Sequence, residues 1–571
     1  MWLLRPQTNR FRVAHDLSGL WSIRFDPEDA GRTAGWSDGV PDASPIAVPG
    51  SWNDQLVGVR DELGPAWYEC RFDAPPVDGF ELALRFGSVN YIAEVWLNGE
   101  PLGGHECGHL PFAFPVPRLR DAGNVLVVRV DGRLAADHVP PSLVPAGHGH
   151  AREFYPPVAF DFFPFAGIHR KVELVAMPPG GIANVRVRTE LDGGAALLHV
   201  EVAHGGGEVA LALDGMPFES PLRLDRARLW SPDDPHLYAL ALELRREGTT
   251  VDRYELSVGL RTFGVDGDRL LLNGEPIELR GFGRHEDFPV LGRGANAAVA
   301  SRDLHLMRDL GANSFRTAHY PHDEETLDLA DRLGLLVIAE TPSVALFFAP
   351  EGLERRQELS RRYVEELVAR DRNHASIIAW SVANEPHSQN AVAAAALTEL
   401  CDLARTLDPT RPVTYASDQP NDPGLDAVDF LCLNRYPGWY QLPGEIERGM
   451  AALAADLDAV HTRHPKPIVL TEFGADAMPG AHSDPPAMWS EEYQSELIAR
   501  VLDTAAGRPF VVGTHVWTFA DFATAQAEHR PHSTNFKGVF TRDRRPKLTA
   551  DALRRRWSAE PGADPGNPRP S

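Results

Sequence analysis

Six acidic side chains in the second half of the chain stand out because each closes or follows an apolar run: Glu286, Glu340, Glu385, Asp418, Glu472 and Asp521. Two carboxyl groups facing one another can cleave an acetal, one protonating the departing oxygen while the other attacks the anomeric carbon. Retention of configuration needs them about 5–5.5 Å apart. Glu385 and Glu472 suit that work if the runs carrying them lie nearly across one mouth from each other. The competing reading makes such carboxylates halves of ion pairs that fix loops. A second candidate is STNFKGVF, residues 533–540, where Asn535 and Lys537 stand two residues apart. An ammonium beside an amide can hold a carboxylate or a phosphate, or it can face water.

A third pattern is a decoy. HECGH at 105–109 matches the H-E-x-x-H of zinc proteases, which works only when a helix puts both histidines on one face. Here Gly103, Gly104 and Gly108 surround it and strand-like runs flank it, so no zinc site is expected. GHGH at 147–150 reads as a polar loop. The sequence shows no metal-ligand cluster and no nucleotide loop, so no cofactor or metal is expected.

The elements that must position these residues fall into three units, in keeping with a prior of about 150 residues per domain. Residues 1–178 give short alternating runs such as ELALRFGSVN and NVLVVRVDG, the pattern of an antiparallel jelly-roll β-sandwich. MPPGG at 177–181 breaks it, and residues 179–264 read as an immunoglobulin-like sandwich. Over 265–557 apolar runs alternate with amphipathic stretches, the mark of parallel β/α architecture. Eight strands are expected at 277–283, 313–319, 335–341, 377–384, 412–418, 430–436, 467–473 and 511–519, which makes a TIM barrel with its chemistry at the strand C-termini. The Pro/Gly-rich tail 558–571 is expected to be disordered.

Composition narrows the partners. Net charge −24 argues against nucleic acid and anionic membrane surfaces. No apolar run approaches the roughly 18 residues of a membrane helix, and the N-terminal stretch is a poor signal peptide. Four scattered cysteines suit a reducing, cytoplasmic setting, with a Cys70–Cys107 bridge as the alternative.

WSVANEP at 380–386 and VLTEFG at 469–474 resemble the two catalytic segments of glycoside hydrolase family 2. LCLNRYPGWY, HSDPPAMWSEEYQ, VWTFADFATAQ and TNFKGVFTRDRRPK are similar to the β-glucuronidase branch of that family. VPGSWND, VWLNGEPLGGHECGHLPF and DFFPFAGIHRKVEL resemble its sugar-binding sandwich. The likeness runs from about residue 5 to Trp557.

The resemblance implies Glu385 as acid/base and Glu472 as nucleophile, with Asn384 on the sugar 2-hydroxyl. It implies Asp161 reaching from the first domain to a ring hydroxyl, and His319, Asn434, Tyr436, Tyr440 and Trp517 lining the pocket. Asn535 and Lys537 would bind a glucuronate carboxylate with help from Arg530, and an unpaired Lys537 and Arg530 would reject neutral hexoses. Arg542, Arg544, Arg545 and Lys547 are expected as a solvated or interface face. Three departures are visible: a shorter connection after the third strand, which implies a more open aglycone side, Pro437 where tyrosine is usual, and Phe473 likewise. The implied enzyme is a retaining exo-β-glucuronidase, expected as a homo-oligomer, a tetramer by resemblance. Its rivals are a β-galacturonidase, a neutral-sugar β-galactosidase or β-mannosidase, and a non-catalytic carbohydrate-binding protein.

Overall fold

The computed structural model describes residues 4–142 and 154–558. GHGH at 147–150 and the tail from 559 onward lie outside the described residues, and Ser558 ends the last helix.

The first unit pairs a six-stranded antiparallel sheet with a four-stranded one. Alternation sets their faces: in Ile92–Leu97 the residues Ala93, Val95 and Leu97 are buried while their neighbours are half-exposed. The second unit packs a three-stranded sheet against a four-stranded one around Leu198, Leu240, Leu242, Leu244 and Tyr254. HECGH forms no helix: His105 and Glu106 end the strand Glu100–Glu106, and His105 stacks on Phe112 at 4.1 Å. All four cysteines are free thiols.

The third unit is a closed barrel of eight parallel strands: Leu279–Arg284, Ser314–Thr317, Leu336–Glu340, Ile377–Asn384, Val413–Ser417, Leu431–Asn434, Ile468–Glu472 and Val511–Val516. Each lies within a few residues of its sequence-based expectation, because strands buried on both faces read as near-continuous apolar runs. Side-chain caps start four of the barrel helices, from Asn296, Asp323, Asn390 and Ser490. Between the fifth and sixth strands the connection holds only a 3-10 turn, Pro423–Ala427, opened by Asp422. Phe263, Leu270 and Leu272 of a preceding hairpin pack on Leu279, Leu336 and Val469 and close the N-terminal end of the barrel.

The two sandwiches dock on different parts of the barrel. The second meets its N-terminal end, where Arg261 donates to Ala375 O (2.9 Å) and Asn373 to Val185 O (2.8 Å). The first reaches the mouth: Phe163 N donates to Ala523 O (2.8 Å), Arg170 to Glu286 (3.1 Å), and His109 stacks on Tyr320 at 4.5 Å. The loop between Phe160 and Phe165 therefore lies over the C-terminal ends of the strands.

Candidate active site

The floor of the mouth is organised by Arg316, a residue sequence reasoning missed. It sits in the second strand with a fully buried side chain. Its Nη1 donates to both oxygens of Glu340 (2.8 and 3.0 Å) and to Asn384 Oδ1 (3.3 Å), while Nη2 donates to Glu472 Oε1. Glu340 also meets His319 Nδ1 at 2.9 Å and accepts from Ser381 Oγ at 2.8 Å. Burial pushes Glu340 up, but Arg316, His319 and Ser381 outweigh it and hold the carboxyl below its usual range. An arginine inside a strand that otherwise reads as buried was the available signal, since such a charge requires buried anionic partners.

Glu472 ends the seventh strand and has both oxygens engaged, one by Arg316 and the other by Tyr436 OH at 2.6 Å. Glu385 follows the fourth strand with φ 46°, in the left-handed region, a conformation that costs roughly 1–3 kcal/mol in a non-glycine residue. The fifth strand and the loop after the third hold this turn through Glu385 N to Ala416 O (2.8 Å) and Ala345 N to Asn384 O (3.0 Å). Asn434, whose Oδ1 accepts from Thr471 Oγ1 (2.8 Å), donates from Nδ2 to Glu385 Oε1 (2.9 Å) and Asn384 Oδ1 (3.1 Å).

The two carboxyl groups sit in different environments. Burial, then Asp418 and Glu472, push Glu385 well above the carboxylate range, against a smaller opposing pull from Asn434. Such surroundings favour the protonated form of Glu385, while Glu472 is gripped by a guanidinium and a phenol. Trp517 stacks on His319 at 4.9 Å, and Phe162 from the first sandwich lies 6.1 Å from the same ring.

The other predicted residues gather at the rim. Asp161 accepts from Arg530 Nε (2.7 Å), from Arg530 Nη2 and from Asn535 Nδ2 (2.8 Å). Tyr440 OH accepts from Arg530 Nη2 (2.9 Å) and Lys537 Nζ (2.8 Å). Its ring stands 5.1 Å from that of Tyr436, which touches Glu472, so a wall of two tyrosines joins the rim to the floor.

The expectation of an unpaired Lys537 and Arg530 is overturned. Lys537 donates to Asp476, whose side chain is fully buried, and Arg530 is bidentate to Asp161 with Asp476 at 3.6 Å. Two cations desolvated side by side need countercharge, and two aspartates from different domains supply it. Burial pushes Asp161 up, yet Arg530, Lys537 and Asn535 hold it below its usual range. Asp476, four residues past Glu472, was also missed; a charge beside the catalytic strand was the only hint.

Of the solvated or interface face expected for the run 542–547, the solvated alternative does not hold, and Arg542 joins the first domain to the barrel. Arg544 is buried on Asp303 (2.7 Å), Arg542 bridges Asp54 (2.7 Å) and Asp287 (2.6 Å), and Lys547 is buried on Asp521 (2.7 Å). Arg545 alone among these is largely exposed. Of the remaining carboxylates, Glu286 serves the ion pair with Arg170 and Asp418 stands exposed on the rim. Among the described residues, one group has metal-ligand spacing: Asp328, Asp331 and His374. It lies by the N-terminal end of the barrel, where Arg5 pairs with Asp328, and Asp331 is engaged by His374 and by Ser376 N.

Comparison with known proteins bears on the family and the fold. Residues 263–560 match the profile described as "Glycosyl hydrolases family 2, TIM barrel domain", residues 14–178 the sugar binding domain, and residues 182–261 "Glycosyl hydrolases family 2". The chain is 37% identical to a β-glucuronidase of Paenibacillus borealis, covering 97% of this chain and 98% of the relative. It is 35% identical to that of Mus musculus, covering 99% and 94%. The solved β-glucuronidase of Ruminococcus gnavus in complex with D-glucaro 1,5-lactone superposes with a TM-score of 0.92 at 34% identity, covering 97% of this chain and 99% of that one. With three domain profiles in order and relatives matched end to end, the chain belongs to glycoside hydrolase family 2.

Proposed function

We propose that the chain is a retaining exo-β-glucuronidase that removes terminal β-D-glucuronic acid. The observation that carries this reading is the placement of Arg530, Asn535 and Lys537 at the rim. They stand across the Tyr436–Tyr440 wall from Glu472. A sugar spanning that wall has its C6 carboxylate among three nitrogen donors and its C1 beside the two glutamates.

Glu385, protonated, gives its proton to the glycosidic oxygen as Glu472 attacks C1 and the aglycone departs. Arg316 and Tyr436 keep Glu472 aimed until its oxygen bonds carbon. With the charge on Glu472 consumed, its share of the push on Glu385 falls away, which eases ionisation of Glu385. Glu385, now ionised, takes a proton from water as that water attacks C1 and frees Glu472. Asn384 already accepts from Arg316 and Asn434 at Oδ1, which leaves Nδ2 to donate to the sugar 2-hydroxyl. Trp517 and Phe162 wall the pocket, and Asp161 is within reach of a ring hydroxyl as well as Arg530.

Hydrogen bonds to a charged group contribute about 1.5–3 kcal/mol each. Lys537→Met should therefore lower kcat/KM on the glucuronide roughly ten- to hundredfold. A panel of nitrophenyl β-glycosides tests the reading: the glucuronide should be turned over far faster than the galacturonide, galactoside or mannoside. Faster cleavage of the galactoside would overturn it. A homotetramer belongs to the same reading by family resemblance, and light scattering after size exclusion checks it.

A further inference from the structure

The segment Asn535–Gly538 has little regular structure of its own beyond the pairing of Phe522–Ala523 with Thr534–Asn535. Its backbone is held instead by buried side chains from elsewhere. Lys547 Nζ donates to Phe536 O at 2.8 Å, and Gly538 N donates to Asp521 Oδ1 at 2.9 Å. Those are the carbonyl of the peptide group before the Lys537 Cα and the N–H of the peptide group after it. Lys547 and Asp521 also bind one another at 2.7 Å, with side chains 1% and 2% exposed. Gly538 presses so close to the chain leaving the eighth strand that a Cβ there would meet Asp521 N at 2.0 Å. The pair and the glycine together fix both peptide planes from which the Lys537 side chain departs.

A buried ion pair is a poor source of stability. Burial pushes Asp521 up to about 7 against the pull of Lys547, and pushes Lys547 down. Apolar groups of similar volume replace such pairs with little or no loss. Its value must lie in what it orients.

We propose that Asp521 and Lys547 are a positioning pair for substrate recognition, holding the peptide groups on either side of Lys537 so that its ammonium meets the carboxylate of a uronic acid. The proposal rests on the function proposed above and adds residues that do not touch the sugar themselves. Lys547 reaches one further carbonyl, Ala477 O at 2.9 Å, next to Asp476, the counter-ion of Lys537. Lys547 therefore ties the backbone before Lys537 to the backbone after its counter-ion Asp476.

The test compares wild type, Lys537→Met, Asp521→Asn and the double variant Asp521→Asn/Lys547→Met on nitrophenyl β-glucuronide, with D-glucuronate as competitive inhibitor. The double variant removes the pair without leaving a bare charge. It should raise KM and the inhibition constant about tenfold or more while kcat stays within about threefold. Asp521→Asn alone keeps the acceptor for Gly538 N and the donor to Phe536 O, so its inhibition constant should stay within about threefold of wild type. If the double variant does not fold, Asp521→Ala, which releases Gly538 N and takes the counter-ion from Lys547, is read by the same inhibition constant. An unchanged inhibition constant, or a loss confined to kcat, overturns the positioning role. A wild type that does not cleave the glucuronide overturns the functional reading and this proposal with it. Loss of D-glucuronate binding in Lys537→Met but not in the double variant removes the positioning role alone.

Discussion

Arg316 and Glu472 meet beneath the mouth of the barrel, the guanidinium giving one arm to Glu472 and the other to Glu340 and Asn384. The arrangement needs a planar fork with several fixed donors, which lysine does not have. Arg316→Lys should keep the fold and lower kcat by on the order of 10²-fold, the usual cost of removing one preorganised donor from a site of developing charge. Single-turnover kinetics should place the loss in the step that releases nitrophenol. A variant with wild-type kcat would show that Arg316 only balances charge.

Glu385 is raised by burial and then by Asp418, which stands on the rim. As general acid it works while protonated, so kcat/KM falls as pH rises through its pKa. Asp418→Asn removes one like charge and lowers that pKa, so the alkaline limb of the pH profile should move to lower pH while the plateau changes little. A limb that stays in place, or moves up, would show that Asp418 does not act on the acid.

Much of this was legible in the sequence, and the rest was hidden for definite reasons. The eight strands were readable because runs such as LLVIAET and PIVLTEF are apolar on both faces. Glu385 and Glu472 were two of six carboxylates that close or follow such runs, and the likeness of WSVANEP and VLTEFG to the family's catalytic segments singled them out. What could not be read is pairing. Lys537 and Arg530 looked unpaired because their partners, Asp476 and Asp161, lie 61 and 369 residues away in the chain. Arg542, Arg544 and Lys547 looked like a solvated charge run for the same reason, their partners Asp54, Asp303 and Asp521 being supplied by other elements. Local charge density says nothing about partners that only the fold brings close.

Asp303 offers a test of that point away from the chemistry. Its buried carboxylate accepts from Arg284 at 2.9 Å and from Arg544 at 2.7 Å. Asp303→Ala strands two buried guanidinium groups, which should destabilise the barrel by about 3–5 kcal/mol. Burial pushes Asp303 up, but the two arginines hold its folded pKa below the usual value. Its contribution is therefore complete above the unfolded pKa of about 3.9 and is lost as pH falls through the folded value. Thermal denaturation at a fixed scan rate should show a large deficit at pH 7 that shrinks in strong acid. A deficit independent of pH would point to lost packing instead.

The assignment of roles to Glu385 and Glu472 has a stereochemical test. Nitrophenolate leaves with little help from an acid, so Glu385→Ala should still form the covalent intermediate and then stall for want of a base. Azide needs no base. It should attack that intermediate, restore turnover, and give the β-glucuronosyl azide with configuration retained. Glu472→Ala removes the nucleophile and leaves space beneath C1, so azide should enter there and give the α-azide with inversion. The anomeric proton coupling in the NMR spectrum of each product distinguishes the two. Exchanged outcomes would reverse the roles of the two glutamates, and failure of azide to rescue either variant would remove the double-displacement mechanism for this chain.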